Sequence, residues 1–308
     1  MDRLGVLCFG GTYGLALLCD LARFAVRWPG RWWATFGLTS LAWVVQTAYL
    51  GNLAVQTGRV PVTTVFESMI VLSWVLGAVG LYLIARAPRP VAVAVFVLPL
   101  VLALVTIAGF WAPREDWVRA GWGGATAFWG TAHGLFYLVG AVGACVGAAA
   151  GLMFLAQAHR LKHKRPPRFG FALPSLEQSE RVNRAAITVA FAFLTAGLVA
   201  GLALEVAAEH AGMPRIGWTD PKVIGAIAVW VLFAVLLHAR FRPEMRGRRV
   251  MLLTLIACIS LALATVGVDL LHISTHGSPR ARAGRAAPAP TSGGPAPAAA
   301  SARAGRGA

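Results

Sequence analysis

Histidines, acids and tryptophans collect at the ends of long apolar runs in this chain. His133 opens one such run and His272 closes another. Two imidazoles at equal depth on different helices can ligate one metal ion or the iron of a haem, because neutral imidazole is a good iron ligand. A histidine at a polar–apolar boundary can equally be hydrogen-bonded and inert, and the residues alone leave both readings open. His276 lies one helical turn beyond His272 and is the alternative ligand if that helix continues. His238, in Leu236-Leu237-His238-Ala239-Arg240, stands near the opposite end of its run, either as an inner ligand or reaching for the interface beside Arg240. Glu67, Glu205 and Asp269 share the depth of His133 and His272, as do Trp111, Trp117, Trp122, Trp129 and Trp218. Those tryptophans suit either a flat bed for a porphyrin or an aromatic belt at a membrane surface. Asp220 and Pro221 read as the cap and first turn of a helix, which leaves Trp218 without a capping role. His159, His163 and His210 read as solvated.

The elements that must position these groups are membrane helices. The chain has 308 residues, 57% hydrophobic and 13% charged, and its mean hydropathy is +0.67. A soluble domain cannot cover itself with so few charges. The apolar residues fall in runs at 4–24, 34–54, 65–86, 90–111, 131–157, 185–208, 222–239 and 250–271. Each approaches the roughly 20 residues that span about 30 Å of hydrocarbon. They are continuously apolar, unlike the alternating strands of a barrel. The expected fold is therefore all-α, a polytopic integral membrane bundle of about eight transmembrane helices.

The formal charge of +16 is a topology signal. Basic residues crowd alternate loops: Arg23, Arg27 and Arg31; Arg86 and Arg89; the stretch from Arg160 to Arg184; and the stretch from Arg240 to Arg249. Basic loops remain in the cytoplasm, so both termini and the loops at about 52–64, 112–130 and 209–221 are expected outside, in a bacterial-type inner (plasma) membrane. Anionic lipid is the expected partner of the cytoplasmic loops, and no nucleic acid is expected. Residues 1–277 read as one membrane unit, and 278–308, rich in Ala, Pro, Gly and Arg, as a disordered tail. Gly143, Gly147 and Gly151 share one helix face, as do Gly197 and Gly201, the spacing that lets helices approach closely. Cys8, Cys19, Cys145 and Cys258 lie in apolar runs without a CxxC pair and read as packing residues rather than exchange thiols. Pro99 is the one helix breaker in mid-span and no acid lies at a span's centre, which argues against a solute transporter.

Four segments together resemble the cytochrome c assembly membrane proteins, of CcsA and HemX type. They are Trp43-Val44-Val45-Gln46-Thr47; Pro61-Val62-Thr63-Thr64-Val65-Phe66-Glu67-Ser68 with Leu72-Ser73-Trp74; His133; and Trp218-Thr219-Asp220-Pro221-Lys222 followed by Leu237-His238-Ala239-Arg240 and Leu271-His272. The resemblance covers most of 34–277. It implies that His133 and His272 form an outer axial pair on haem b, that Trp218 and Asp220 belong to the haem platform, and that His238 lies on the haem's route across the membrane. It further implies work within a haem-attachment (lyase or synthetase) complex, beside a second membrane subunit with a large outer domain and with apocytochrome c as client. The chain keeps Trp218 where CcsA-type members have several tryptophans, and has Val223 where they have Glu. Both departures lie closer to the HemX type, whose implied role is a membrane regulator or scaffold of tetrapyrrole synthesis acting through the cytoplasmic loop 158–184.

Overall fold

Gly58, Gly124 and Gly247 take positive φ at the boundaries of helices, where a chain reversal needs a residue without Cβ. The computed structural model describes residues 2–26, 28–58, 60–62, 64–86, 92–112, 123–164, 172–213, 218–241 and 247–267. Within them lie α1 (Asp2–Leu21, extended by a 3₁₀ turn Ala22–Phe24), α2 (Arg31–Thr57), α3 (Val65–Arg86), α4 (Ala94–Phe110), α5 (Ala125–Lys162), α6 (Leu176–His210), α7 (Pro221–Phe241) and α8 (Arg248–Ala262), the last running into a π-helical turn Leu263–Gly267. His272, His276, Asp269, Thr63, Trp117, Trp122 and the tail 278–308 lie outside the described residues.

The eight helices fall on the eight apolar runs, and the chain is an all-helical, multi-pass membrane protein. Six of them are long and apolar enough to cross a membrane by length and composition alone. The other two have separate reasons for falling short. α2 has 27 residues but turns Thr35, Thr39 and Gln46 into the bundle, which lowers its hydropathy. α4 is strongly apolar but has only 17 residues, with Pro99 inside it.

Two cores divide the molecule. One joins α1, α2, α3 and α4 around Phe9, Tyr13, Ile70, Leu98 and Val101. The other joins α5, α6, α7 and α8 around Ala144, Ile187, Ala190, Phe233 and Leu236. The longest packed pair is α5 with α6, and α8 lies against α5. The backbone N–H of Ala92 donates to the carbonyl of Ala172 at 3.0 Å, so the basic α3–α4 and α5–α6 connections meet at one end of the bundle. The α4–α5 and α6–α7 connections then lie at the other.

The glycine stripe behaves as its spacing implies, with one difference. A Cβ on Gly143 would stand 2.9 Å from the carbonyl oxygen of Ala186, and one on Gly147 2.9 Å from Cδ1 of Ile187. Gly151 has nothing nearer than 3.5 Å, so a methyl group fits there. Cys8 is exposed on the outside of α1, so packing describes Cys19, Cys145 and Cys258, which are partly buried, but not Cys8.

Candidate functional site

α5 is longer than its apolar run. It begins at Ala125 after Gly124, whose φ of 52° breaks the chain, so His133 stands about 12 Å along the helix at 1.5 Å per residue rather than at its opening. That depth puts His133 opposite Gly197 and Gly201 of α6. Its Nδ1 lies 2.7 Å from the carbonyl oxygen of Gly197. A carbonyl oxygen only accepts, so Nδ1 carries the proton and donates it. The other nitrogen, Nε2, keeps its lone pair and makes no hydrogen bond among the described residues. Gly201 forms the floor: a Cβ there would stand 3.0 Å from Nδ1 and 3.1 Å from Cε1 of the ring. The glycine pair expected to pack helices therefore also seats the imidazole. A histidine held through Nδ1 by a backbone carbonyl presents Nε2 in fixed orientation, as metal-ligating histidines do.

The α6–α7 connection lies at the same end of the bundle. Asp220 is buried, and its Oδ1 accepts from the backbone N–H of Lys222 at 2.9 Å, while its carbonyl accepts from Ile224 N–H at 3.1 Å. It is the N-cap the sequence indicates, with Pro221 in the first turn. Two residues earlier, Trp218 is 72% exposed, a degree of exposure that packing within the chain does not explain. Trp111, at the end of α4, and Phe128, near the start of α5, are also exposed, with Phe128 edge-on to Trp129 at 5.2 Å between centroids. Glu67, at the start of α3, is buried and engaged. Its Oε2 accepts from Thr64 N–H at 3.2 Å and Thr64 Oγ1 accepts from Glu67 N–H at 3.0 Å, a reciprocal capping box that the sequence reading missed. The signal was present as Thr64-x-x-Glu67.

His238 lies seventeen residues past Pro221, about 25 Å along α7, at the opposite end of the bundle from Trp218. Its side chain faces outward rather than into the bundle. The structure thus brings His133, Asp220 and Trp218 to one end and separates His238 from them. His210 and the pair His159 and His163 are exposed at helix ends, the last two with ring centroids 4.2 Å apart. Among the described residues no three His, Cys, Asp or Glu side chains cluster as a metal-binding group.

Two of the other sequence segments meet in the first core. Trp43 stacks on Trp74 at 5.5 Å between centroids, with 13° between planes. Trp43 Nε1 donates to the carbonyl of Trp74 at 3.1 Å, and Trp74 Nε1 donates to Thr47 Oγ1 at 2.8 Å. Gln46, fully buried, accepts from Tyr13 Oη at 3.0 Å and donates from Nε2 to Ile70 O at 3.0 Å and Ser73 Oγ at 2.8 Å. These residues lock α1, α2 and α3 together.

A family model described as "Cytochrome C assembly protein" matches residues 62–276. The cytochrome c biogenesis protein CcsA of Parasynechococcus marenigrum is 27% identical over 297 residues, covering 89% of this chain and 96% of that protein. The protein of the same name from Guillardia theta is 24% identical over 257 residues, covering 78% of this chain and 84% of its own length. Protein HemX of Bacillus subtilis is 24% identical over 213 residues, covering 69% of this chain and 75% of that protein.

Proposed function

Because the chain belongs to the cytochrome c assembly protein family, we propose that it holds haem b at the outer face of a bacterial inner membrane and presents it to apocytochrome c. A role in cytochrome c assembly follows from the family and its CcsA relatives. The observation that carries the finer reading is His133: Nδ1 donates to Gly197 O, Nε2 makes no hydrogen bond among the described residues, and the ring stands on the part of α5 nearer the end that carries Trp218. In this reading His133 and His272 would hold the haem iron, and Trp218, set by the Asp220 cap, would help bed the porphyrin. His238 marks the inner end of the haem's route. Both termini and the loops around Trp218 face outward, and the membrane unit is residues 1–277.

The chemistry assigned to the chain is positioning. A cysteine thiol adds across a haem vinyl group: the C–S bond forms at one vinyl carbon, the proton goes to the other, and no net electrons are exchanged. By holding the haem, His133, His272 and Trp218 would fix where its vinyl groups stand when the client's thiols arrive. Client thiols and a second membrane subunit with a large outer domain complete the attachment complex in this proposal.

The test is an absorption spectrum of the detergent-purified protein beside His133→Ala and His272→Ala. The expected result is a Soret band with the sharp reduced α and β bands of six-coordinate haem, lost or shifted in both variants. A wild-type protein that stays without haem after haem is supplied would overturn the ligand assignment. The relative named Protein HemX supports the alternative that the resemblance implies, a membrane regulator of tetrapyrrole synthesis acting through the stretch 158–184, which is helical over 158–162 and 176–184. It predicts that output follows changes in that stretch and ignores His133→Ala.

A further inference from the structure

At the turn between α1 and α2, a buried ion pair carries more hydrogen-bonding capacity than the described residues use. Asp20 and Arg23 are joined Oδ1 to Nη2, with side chains 3% and 4% exposed. Arg23 Nε also donates to the Asp20 carbonyl at 3.0 Å. The second carboxylate oxygen, Asp20 Oδ2, is buried and has no hydrogen-bond partner among the described residues, and the same is true of Thr35 Oγ1. Both residues line one cavity, with Arg23, Arg31, Trp32, Ile84 and Ala94, where the ends of α1, α2, α3 and α4 meet. The space among them takes one group the size of a water molecule or an ammonium.

The charges restrict what fits. Among the residues that line the cavity Asp20 is negative and ion-paired to Arg23, and Arg31 is a second positive group. A free anion would meet Asp20 Oδ2, and a free cation would meet Arg31. A ligand with a hydrogen-bonding cationic tip and an anionic group a few ångströms behind it satisfies both. The surroundings say where such a ligand comes from. Trp28 and Trp33 are 51% and 61% exposed, beside exposed Leu21, Phe24 and Val26, the belt of a helix turn at a bilayer surface. We infer that this cavity binds the headgroup of an aminophospholipid, its ammonium donating to Asp20 Oδ2 and Thr35 Oγ1 and its phosphodiester resting on Arg31. This differs from the expectation of anionic lipid at the basic loops, because the unpartnered acceptors call for a donor that an anionic headgroup without an amine does not bring as a cation.

Native mass spectrometry of the full chain, exchanged from detergent into phosphatidylethanolamine, phosphatidylglycerol or phosphatidylcholine, tests it. Phosphatidylglycerol lacks the ammonium, and phosphatidylcholine lacks its N–H donors. Phosphatidylethanolamine should be retained about tenfold better than either, a difference that Thr35→Val and Arg31→Gln each reduce. Asp20→Asn strands Arg23 and risks unfolding the turn, so Thr35→Val, which keeps the side chain's shape, is the deciding variant. Equal retention of the three lipids, or a Thr35→Val protein indistinguishable from wild type, would overturn the assignment. A thermal shift given by soluble phosphoethanolamine as large as that given by the lipid would also overturn it, moving the site to a free solute.

Discussion

The two halves of the bundle hold their helices together by different means. In α1, α2 and α3 the contacts are polar and aromatic: Tyr13, Ser73 and the Ile70 carbonyl converge on Gln46, and Trp43 and Trp74 stack and exchange hydrogen bonds with the neighbouring helix. In α5 and α6 the helices approach closely at small residues, Gly143 against the Ala186 carbonyl and Gly147 against the Ile187 side chain, and one buried amide, Asn183 Nδ2, donates to the Gly147 carbonyl at 2.6 Å. A bilayer gives little hydrophobic drive to helix association, so close packing and interhelical hydrogen bonds are the two available devices. Around Gln46 the first half spends its polar atoms on architecture. The second half packs mainly through small residues, and His133 Nε2 makes no hydrogen bond among the described residues.

The largest effect expected from this contrast is in the second half. Gly143→Leu places Cβ 2.9 Å from the Ala186 carbonyl oxygen, a backbone atom that cannot rotate aside. Overpacking of this kind costs about 3 kcal/mol, and the α5–α6 pair should separate, read as loss of the monodisperse peak and of cooperative thermal unfolding in detergent. Gly37→Leu, on α2 with nothing within 4 Å of its would-be Cβ, is the matched control and should fold. Equal tolerance at both positions would break the comparison.

A smaller effect is expected in the first half. Gln46→Leu keeps the volume but leaves the Tyr13 hydroxyl without its acceptor and the Ile70 carbonyl without one of its donors. The expected loss is about 1–2 kcal/mol, since interhelical hydrogen bonds in membranes are individually modest. Tyr13→Phe in the same protein should recover part of it, because both ends of one hydrogen bond are then removed. A cycle of the two single variants and the double variant, measured by thermal unfolding, gives the coupling; additive losses would show that Gln46 acts by shape alone.

The sequence exposed these devices unevenly, and distance along the chain explains why. The run 65–86 coincides with α3 because a continuous apolar stretch is a local property. The Asp220 cap was legible because its partner, Lys222 N–H, is two residues away. The Gly143 and Gly147 spacing was legible for the same reason. Gln46 stood out as part of a motif, but its partners are 33, 24 and 27 residues away, so its role as a crosslink was not. The Asp20–Arg23 pair has local spacing and was still missed, because it sits at the end of an apolar run whose average conceals two charges. α5 outran its apolar run at both ends: Ala125–Gly130 precede it, and Ala158–Lys162 continue the helix with His159, Arg160 and Lys162, which add no hydrophobicity. The tautomer of His133 depends on Gly197, 64 residues on, and only the fold supplies it.

The smallest change in stability should carry the most information about His133. Gly201→Ala adds a methyl group 3.0 Å from Nδ1 and 3.1 Å from Cε1 of the imidazole, so the ring must yield by a few tenths of an ångström. Its Nδ1 is tethered to Gly197 O at 2.7 Å, and moving the ring lengthens or bends that bond. Against the crowding stands the gain of about 0.5–1 kcal/mol from replacing glycine within a helix. The two nearly cancel, and the melting temperature should stay within a few degrees of wild type. Gly197→Ala is the control on the same helix face: its nearest neighbours are at 3.5 and 3.6 Å, ordinary contact, and the carbonyl that holds His133 is retained. If Nε2 binds haem iron, Gly201→Ala should shift or weaken the haem absorption bands while Gly197→Ala leaves them in place. A shift in both variants would mean that α5–α6 packing as a whole sets the spectrum. A shift in neither, in a protein that binds haem, would remove His133 from the iron and leave the Gly197 hydrogen bond as one more helix crosslink, like those of the first half.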